Sequence, residues 1–382
     1  MERSTRSAVD AFIVMDVLAA ANRAEAEGRR IIRMEVGQPG TPAPEGARRA
    51  LAEALERGTL GYTEALGLPA LRQRIARHYR DWYGCDIDPA RVVVTAGASG
   101  AFLLAFTALF DAGDKVAMGD PGYPSYRQIL RALSVEPVGL RTEAADRFQL
   151  TADQVRQSEG LKGVILASPG NPSGTMLGRQ PLANLIEAAR ERGLAVISDE
   201  IYHGIAYGDR SVSALEISDD VYVVNSFSKY FSMTGWRIGW MVVPEDHVRT
   251  VERLAQNMFI CAPHASQVAA LAAMDCTKEL ERHVAQYRAN RNLLLTGLPE
   301  AGFRRFAPPD GAFYIYADLD GITDDALGFC RDVLAGAGVA VTPGLDFDPA
   351  RGHGTLRFSY ARPTEDIAEG LGRLKDFMEA RA

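Results

Sequence analysis

The sequence predicts an α/β fold: a large domain with a mostly parallel sheet flanked by helices, followed by a smaller α+β domain. Three observations lead to this prediction. Short apolar runs alternate with amphipathic helical patterns through the middle of the 382-residue chain, several of those runs end in polar motifs, and the pattern changes near residue 280. A chain of this length can form two domains.

The central part of the chain alternates candidate strands with candidate helices. The apolar runs predicted to be strands are residues 92–95, 116–118, 164–168, 195–198, 222–225 and 238–243. The amphipathic stretches predicted to be helices are residues 101–110, 126–133 and 182–192. Because continuous apolar strands separated by helices are typical of a sheet covered on both faces, we expect a parallel or mostly parallel sheet.

The C-terminal part has a different pattern. A long polar helix is predicted over residues 280–295, and strands separated by Gly/Pro turns are predicted at residues 313–317, 339–342 and 356–359. The N-terminal part contains one helix, which is followed by the segment "RMEVGQP". We therefore expect a large domain over residues 46–279 and a small domain over residues 280–382, with residues 1–45 packing on the small domain.

The bulk composition restricts the classes of partner. The formal net charge of −7 disfavours a nucleic-acid or polybasic membrane contact, because phosphate binding needs clustered Lys and Arg. The six histidines and four cysteines show no metal-ligand spacing, so no metal site is expected. Neither a signal peptide nor an apolar run of about 18 residues is visible. We expect a cytoplasmic enzyme or binding protein.

Polar motifs lie where predicted strands of the large domain end. Three of them are "ILASPGNPSGT", "AVISDEIYHG" and "VVNSFSK", and a fourth, "VVVTAGASGAF", opens a predicted helix with small residues. Ligands of open parallel sheets bind beyond the carboxyl ends of the strands. The candidate site residues at these ends are Ala98, Ser99, Asn171, Asp199, Tyr202, Ser226, Ser228 and Lys229.

The segment "SFSKYFSMTGWRIGW", residues 226–240, places a lysine among hydroxyl and aromatic side chains. A lysine that is held out of water near another cation loses its proton readily and becomes a nucleophile for carbonyls. Arg237 is the candidate cation for Lys229. The alternative is a surface lysine whose stem covers apolar groups while its amine stays in water.

Asp199 and Asn171 are the candidate partners of an aromatic ring. Asp199 follows an apolar run, where an unpaired carboxylate is costly, and a protonated pyridine nitrogen would be a suitable partner. Asn171 and Tyr202 could donate to a hydroxyl on such a ring. A helix-capping role for Asp199 and an Asx turn at Asn171 are the alternatives.

The helix start after residue 96 is a candidate anion site. Small residues there let backbone N–H groups approach an anion, which the helix dipole also favours. A plain N-cap role for Ser99 is the alternative. A phosphate could be held by Ala98, Ser99, Ser226, Ser228 and Arg237. Taken together, an aldehyde-binding amine, an acid for a ring nitrogen and a phosphate cup indicate pyridoxal 5′-phosphate as the cofactor.

At this point the sequence resembles the class I/II aminotransferases, the aspartate-aminotransferase-like branch of the fold-type-I pyridoxal-phosphate enzymes. The motifs that carry the resemblance are "PGNPSGT", "SDEIY" and "SFSKYFSMTGWRIGW", in that order, and the similarity extends from "EVGQPG" to "TLRFSYA". The resemblance implies that Lys229 condenses with the cofactor aldehyde and then carries the substrate's α-proton. It also implies that Asp199 keeps the ring nitrogen protonated.

Further roles follow from the resemblance alone. Tyr123 matches the aromatic residue that stacks on the cofactor ring, and Tyr126 is interpreted as part of the pocket wall. Tyr62 matches the tyrosine that reaches the cofactor phosphate of the partner subunit, which implies a homodimer with a shared active site. Gly37 matches the position whose backbone meets the substrate carboxylate. For Tyr123 a core position, for Tyr62 a structural role and for Gly37 a plain turn are the alternatives.

Arg357 lies inside a short, largely apolar predicted strand, where its charge needs an anion. The resemblance implies that its guanidinium fork grips the α-carboxylate of the substrate with two hydrogen bonds. The alternative is a buried ion pair with a carboxylate of the protein.

The resemblance implies an aminotransferase that moves an amino group from an L-amino acid to a 2-oxo acid by a ping-pong mechanism. A β-lyase or a synthase on the same scaffold is the alternative, and a non-catalytic sensor is disfavoured because no helix-turn-helix pattern precedes the fold. No second cation for a side-chain carboxylate is apparent, and Ser99 is neutral where some relatives carry lysine. We therefore expect neutral or aromatic amino acids, selected around residues 10–20 and 257–266. Asn257 and His264 are candidates there, and a core or surface role is the alternative for both.

Overall fold

The computed structural model describes residues 1–381 and confirms the predicted α/β fold. Its helices are α1 (Ile13–Ala26), α2 (Glu45–Arg57), α3 (Pro69–Tyr83), α4 (Gly97–Leu109), α5 (Pro124–Ala132), α6 (Ala152–Gln157), α7 (Arg179–Glu191), α8 (Val248–Met258), α9 (His264–Ala273), α10 (Thr277–Glu300), α11 (Ala326–Gly336) and α12 (Thr364–Glu379). Within this part of the chain, no helix combines the length and apolar character that a membrane crossing requires.

The strands are short and mostly apolar. They are β1 (Ile32–Arg33), β2 (Val92–Thr95), β3 (Lys115–Asp120), β4 (Glu136–Arg141), β5 (Leu161–Ala167), β6 (Ala195–Asp199), β7 (Tyr222–Ser226), β8 (Gly239–Val242), β9 (Arg305–Phe306), β10 (Tyr314–Asp318), β11 (Val339–Ala340), β12 (Thr342–Pro343) and β13 (Thr355–Ser359).

The central sheet has seven strands in the order β2-β8-β7-β6-β5-β3-β4. Its strands are parallel except for β8, which is antiparallel to both β2 and β7. Helices α3, α4, α5 and α7 pack on it, and β2, β7 and β8 are buried along their whole length. The six predicted strands of this region are therefore all present, and the sheet is mostly parallel, as expected.

A second sheet, antiparallel and four-stranded, has the order β12-β13-β10-β9. The single strand predicted over residues 339–342 is wrong in one respect, because the structure divides it into β11 and β12. Strand β11 pairs in parallel with β1 of the N-terminal segment, with Ile32 opposite Val339, whereas β12 pairs with β13. The chain changes partner at Val341, and a local pattern of apolar residues does not encode that change.

Several elements of the structure were not predicted from the sequence, namely α2, α3, α6, α8, α9, α11, α12, β1, β4 and β9. Strand β4 lies at the sheet edge and is partly exposed, so it shows no continuous apolar run. The charged residues of α2 and α3 conceal their apolar stripes in a reading that starts from apolar runs. Edge positions and polar helices thus account for part of what the pattern missed.

The carboxyl ends of the central strands bring the polar motifs together. Asp199 lies opposite Ala167 on β5, and Ser226 lies opposite Gly239 on β8. Thr95, which immediately precedes the turn into α4, also lies opposite Gly239. A Cβ atom at Gly239 would lie 3.1 Å from the backbone nitrogen of Ala98. Glycine at this position therefore lets the start of α4 approach the end of β7.

Candidate active site

Eleven of the predicted site residues line one cavity of about 290 Å³ at this edge of the sheet. They are Gly37, Ala98, Ser99, Tyr123, Asn171, Tyr202, Ser226, Ser228, Lys229, Arg237 and Arg357. Asp199 is 3% exposed and lies beside this lining, because its Oδ1 atom accepts from the N–H of Ile201, which lines the cavity, whereas Tyr62 lies on the surface. The structure thus gathers residues from positions 37 to 357 around a single space.

Lys229 projects from the turn after β7 into the cavity. Its Nζ atom donates a hydrogen bond of 2.6 Å to the carbonyl oxygen of Gly37. The pKa of the Lys229 amine is lowered to about 7. Burial is the main cause, the charges of Arg357 and Arg237 act in the same direction, and the charge of Asp199 opposes them. A surface lysine in contact with water would not show this combination, so a neutral, nucleophilic amine is accessible near pH 7.

Asp199 is the last residue of β6, and its carboxylate is almost completely buried. Burial raises the pKa of Asp199 to about 6, although hydrogen bonds from the Tyr126 hydroxyl and the Ile201 N–H and the charge of Lys229 oppose that rise. The residues after Asp199 form turns rather than an α-helix, so a helix cap is not its role. A cation beside this carboxylate would stabilise the charged form.

The interpretation of Tyr126 as part of the pocket wall is incomplete, because the structure also shows a specific contact with Asp199. Its hydroxyl group donates to Oδ2 of Asp199, and its ring packs edge-on against Tyr123 at a centroid distance of 5.2 Å. Both tyrosines lie at the start of α5, three residues apart, and therefore share one face of the helix. That spacing was a signal that the two tyrosines act together, but it did not identify Asp199 as a partner.

The predicted anion cup forms between α4 and the turn after β7. The hydroxyl group of Ser226 donates to that of Ser228 at 3.0 Å, and the Ser228 N–H donates to Ser226 Oγ at 3.1 Å. Gly97 begins α4 with a φ of +74°, and a Cβ atom there would lie 2.3 Å from Nη2 of Arg237. The Arg237 guanidinium therefore lies against the backbone of the helix start, where an anion would be stabilised.

Ser99 is not an N-cap, because Ala96 occupies that position and α4 has no side-chain cap. The Ser99 side chain is exposed at the cavity, one residue after Ala98. The hydroxyl of Ser99 is therefore available to an anion at the helix start.

Arg357 lies in the middle of β13 and is 2% exposed. Its Nη1 atom donates to Oδ1 of Asn171 at 2.9 Å, and its Nη2 atom donates to the carbonyl oxygen of Glu35. The guanidinium lies over the rings of Tyr314 and Phe347, 4.5 and 4.7 Å from their centroids. Within residues 1–381 it forms no ion pair, and its Nε atom has no hydrogen-bond partner.

This unpaired, buried guanidinium does not match the alternative of an ion pair inside the protein. Because a buried cation is costly without an anion, the geometry favours an anion that enters from the cavity. The side-chain oxygen of Asn171 accepts a hydrogen bond from Arg357. In the described residues it accepts none from a nearby backbone N–H, so the alternative of an Asx turn does not apply.

Tyr202 and Gly37 are joined through a residue that the sequence analysis missed, Tyr314 on β10. The hydroxyl groups of Tyr202 and Tyr314 are 2.7 Å apart and share a hydrogen bond. A Cβ atom at Gly37 would lie 1.8 Å from the Tyr314 hydroxyl, so only glycine fits there. Tyr314 belongs to a predicted strand, but nothing in the local sequence marked it as a site residue.

Tyr62 does not belong to this cavity, because its side chain is 82% exposed. The segment around residues 257–266, predicted to select the substrate, does not line the cavity either. Asn257 donates to the carbonyl oxygen of Arg253, and Nδ1 of His264 lies 2.8 Å from the carbonyl oxygen of Gly61. In the single chain Asn257 and His264 therefore do not line the cavity, which agrees with the alternative of a core or surface role.

The segment around residues 10–20, also predicted to select the substrate, does line the cavity. Phe12, Val14, Met15 and Leu18, from the first turns of α1, form an apolar wall. Ile129 of α5 contributes to the same lining.

The residues present fit pyridoxal 5′-phosphate. The start of α4, the two serines and Arg237 suit a phosphate dianion, and the buried carboxylate of Asp199 suits a protonated ring nitrogen. The unpartnered Nε atom of Arg357 suits an additional carboxylate in the same space.

Known proteins resemble this chain over nearly its whole length. A family model described as aminotransferase class I and II matches residues 29–374. The valine–pyruvate aminotransferase of Mycobacterium tuberculosis is 46% identical over 382 residues, which cover 98% of this chain and 98% of that protein. The (5-formylfuran-3-yl)methyl phosphate transaminase of Methanocaldococcus jannaschii is 34% identical, covering 97% of each chain.

Solved structures show the same architecture. A presumed aminotransferase from Silicibacter pomeroyi superposes with a TM-score of 0.94 at 64% identity, covering 100% of both chains. The aspartate aminotransferase of Thermus thermophilus with maleate superposes with a TM-score of 0.93 at 29% identity, covering 99% of this chain and 100% of that chain. Proteins named for different amino donors thus share this fold, so the fold does not decide the substrate.

Proposed function

The chain belongs to the aminotransferase class I and II family and is a pyridoxal-phosphate-dependent aminotransferase, and we propose that Lys229 is its catalytic amine and that neutral amino acids are its donors. The observation that carries the proposal is the position of Lys229. Its amine lies in the cavity among Arg357, Arg237 and Asp199, and its pKa is lowered to about 7. Such an amine is poised both to bond to an aldehyde and to exchange a proton.

When bound, pyridoxal phosphate supplies an aldehyde that condenses with amines and a protonated ring that withdraws electrons from the substrate's α-carbon. The Lys229 amine would hold the cofactor aldehyde and, once a substrate amine has replaced it, would be free to take up the substrate's α-proton and return it. The Asp199 carboxylate would stabilise a protonated ring nitrogen, and Tyr126 holds that carboxylate in place through its hydroxyl group. The two halves of the reaction use one site in turn, which is a ping-pong scheme.

The remaining predicted residues bind and orient. The residues that would hold the cofactor phosphate are Ala98, Ser99, Ser226, Ser228 and Arg237. Tyr123 would contact the ring, while Asn171 and Tyr202 would donate to its hydroxyl oxygen.

Arg357 binds the α-carboxylate of the substrate with its fork, and Gly37 offers its backbone at the same place. This assignment is supported by the burial of Arg357 without a protein carboxylate as partner within residues 1–381.

The amino donor is proposed to be a neutral amino acid such as valine, with pyruvate as the acceptor. The only charged side chains that line the cavity within residues 1–381 are Lys229, Arg237 and Arg357, all of which have other tasks. A side-chain carboxylate would therefore meet the apolar wall of α1 without a cation to bind it. The name of the Mycobacterium tuberculosis relative agrees with this choice.

The enzyme is proposed to act as a homodimer, with Tyr62 of each chain completing the phosphate site of the other. Its 82% exposure in the single chain supports this, because a large aromatic side chain gains from being covered. The division at residues 45 and 279 is proposed because the seven-stranded sheet lies within residues 46–279, whereas the four-stranded sheet lies within residues 280–382. Analytical ultracentrifugation of the wild type tests the dimer, and the cofactor affinity of Tyr62→Phe tests the role of the Tyr62 hydroxyl group. A monomeric wild type, or a variant that binds the cofactor with normal affinity, would contradict the proposal.

Replacement of the cavity lysine tests the central assignment. Lys229→Ala removes both the aldehyde-binding amine and the proton carrier, so turnover of valine with pyruvate should fall by roughly 10⁴-fold or more. Borohydride treatment of the purified enzyme should attach the cofactor to the peptide containing Lys229 and should leave the variant unlabelled.

Lys162→Ala is the matched control for this experiment, because Lys162 is an exposed lysine on β5. The control should keep wild-type turnover and labelling. Near-normal turnover of Lys229→Ala, or labelling at another lysine, would refute the assignment. A screen of valine, alanine, phenylalanine and aspartate against pyruvate and 2-oxoglutarate tests the substrates, and a preference for aspartate would contradict the neutral donor.

A further inference from the structure

The first turn of α1 is held by a residue that is distant in sequence. The helix has no side-chain cap of its own, since Phe12 occupies the N-cap position. Instead, the N–H groups of Ile13 and Val14 donate to the two carboxylate oxygens of Asp346, at 2.9 and 2.7 Å. The Asp346 side chain is buried, with 6% exposure. One carboxylate therefore satisfies two free N–H groups at the positive end of the helix dipole.

The helix end that Asp346 holds carries the apolar wall of the active-site cavity. Phe12 and Met15 at the first turn, and Leu18 at the next, line the cavity. The Phe12 ring also meets the ring of Tyr123 edge-on, with centroids 6.2 Å apart and an angle of 76° between the planes. The distance from this wall to the reacting groups thus depends on where the first turn of α1 lies.

Asp346 is linked by strand pairing and close packing to β13, which carries Arg357, the arginine that is proposed to bind the substrate carboxylate. It is the last residue of the short 3-10 helix Gly344–Asp346 that follows β12, and in the pairing of β12 with β13 Thr342 lies opposite Arg357. Gly344, between β12 and Asp346, is packed so closely that a Cβ atom there would lie 1.8 Å from Oγ1 of Thr355 on β13. The Asp346 carboxylate therefore cannot move far without moving the strand that bears Arg357.

We propose that Asp346 is a positioning residue that fixes the apolar wall of α1 at a set distance from Arg357, and that this distance selects amino acids whose apolar side chains reach the wall. The inference rests on the proposed function, because it requires the α-carboxylate to be bound at Arg357. With that end of the substrate fixed, valine and leucine side chains extend toward the wall, whereas the alanine methyl group is too short to depend on it.

The test replaces the carboxylate by an amide of the same shape. In Asp346→Asn one side-chain oxygen still accepts a hydrogen bond, but the amide NH₂ cannot accept from the second N–H, and the charge is lost. The holoenzyme is assayed with alanine, valine and leucine as donors. We expect kcat/KM to fall by about tenfold or more for leucine and valine, and by a clearly smaller factor for alanine.

A binding measurement on the holoenzyme gives a second readout that requires no turnover. The dissociation constant of 4-methylpentanoate, which has the size of leucine without its amine, should rise in Asp346→Asn much more than that of propanoate. Asp325→Asn is the matched control. Asp325 caps α11 by accepting from the Gly328 N–H at 2.9 Å but lies outside the cavity lining, so this variant should match the wild type throughout.

Equal losses for alanine and leucine, or equal changes in the two dissociation constants, would overturn the inference while the aminotransferase function stands. A wild-type enzyme that transfers no amino group from any neutral amino acid would instead overturn the proposed function. If Asp346→Asn does not fold, Met15→Ala decides, since Met15 is 51% exposed and its truncation spares the core. A larger loss for leucine than for alanine supports the selecting wall, and equal losses overturn it.

Discussion

Asp199 and Glu200 are neighbours in the chain, yet they belong to two buried clusters with different surroundings. Both side chains are almost completely buried, at 3% and 1% exposure, and burial raises the pKa of Asp199 to about 6 and that of Glu200 to about 8. Successive side chains of an extended strand point to opposite faces. Asp199 accordingly meets Tyr126 and lies near the cavity, whereas Glu200 faces His203, Ser213 and the N–H of Ala214.

The Glu200 cluster is closed to the cavity. Oε1 of Glu200 accepts hydrogen bonds from the Ser198 and Ser213 hydroxyl groups and from the Ala214 N–H, and Oε2 lies 3.4 Å from Nδ1 of His203. Burial lowers the pKa of His203 to about 3, so near pH 7 this contact joins two neutral groups and is not an ion pair.

Burial by itself thus shifts the pKa of ionisable groups wherever they lie in the protein. At Asp199 the perturbed group adjoins a cavity that also contains Lys229, Arg237 and Arg357. At Glu200 the perturbed group is fully packed. A shifted pKa therefore indicates an active site only where geometry also provides space for a ligand and complementary charges.

The sharpest test of this comparison exchanges each carboxylate for its amide. Asp199→Asn should lower kcat by about 10²-fold or more, because the amide cannot stabilise a protonated ring nitrogen. Glu200→Gln should change kcat by less than about threefold, since its oxygen can still accept the same donors. Steady-state kinetics of the two variants side by side are sufficient, and similar losses would contradict the separation of the two clusters.

A smaller effect is expected from the hydroxyl group that holds Asp199. Tyr126→Phe removes a hydrogen bond to a carboxylate, which should lower kcat by about tenfold. Because that bond stabilises the charged form, its loss should raise the pKa of Asp199. The fall of kcat at acid pH should therefore begin at a higher pH than in the wild type.

The kcat–pH profile measures this shift. Tyr222→Phe is the control, since the Tyr222 hydroxyl group contacts Nδ1 of His247 at 2.9 Å, at the other end of β7. An unshifted acid limb in Tyr126→Phe, or an equal shift in the control, would show that the bond to Asp199 does not tune the site.

The smallest effect concerns stability at the Glu200 cluster. Its carboxyl pKa is about 8 in the folded protein and 4.5 ordinarily, so the folded state binds more protons than the unfolded state between about pH 4.5 and 8. The stability that neutral Glu200 contributes is thus fully present below about pH 4.5 and is lost as the pH rises to about 8. Glu200→Gln cannot titrate, so its Tm should gain about 6 °C relative to the wild type as the pH rises over that range. A constant difference in Tm would contradict the raised pKa.

Much of the fold was predictable because its strongest signals are local. The buried strands β2, β5, β6 and β7 are short apolar runs, and each is followed by a polar motif. Strand β4 and the charged helices α2 and α3 were missed, because an edge strand and a polar helix expose residues that do not look apolar. The direction of β8 could not be inferred either, since a strand carries no local mark of its direction.

The site was predictable for the same reason wherever a motif marked it. Lys229, Asp199 and Asn171 lie at or just after strand ends in distinctive segments. In the structure Lys229 and Asn171 line one cavity, and Asp199 is close enough for its charge to act on Lys229. Tyr314 and Asp346 carried no such mark. Each acts through a contact with a residue more than a hundred positions away, Tyr202 for the first and Ile13 for the second.

The family, the alternation of strands and helices, and the chemical groups that a pyridoxal-phosphate enzyme needs could all be read from the chain. The burial of the Lys229 amine near Arg357, which lowers its pKa to about 7, could not, and neither could the burial of Arg357 without an ion-pair partner in residues 1–381. Residue types and local periodicity are properties of the chain itself. Desolvation and charge–charge interactions depend instead on distances between segments that meet only when the sheets have formed.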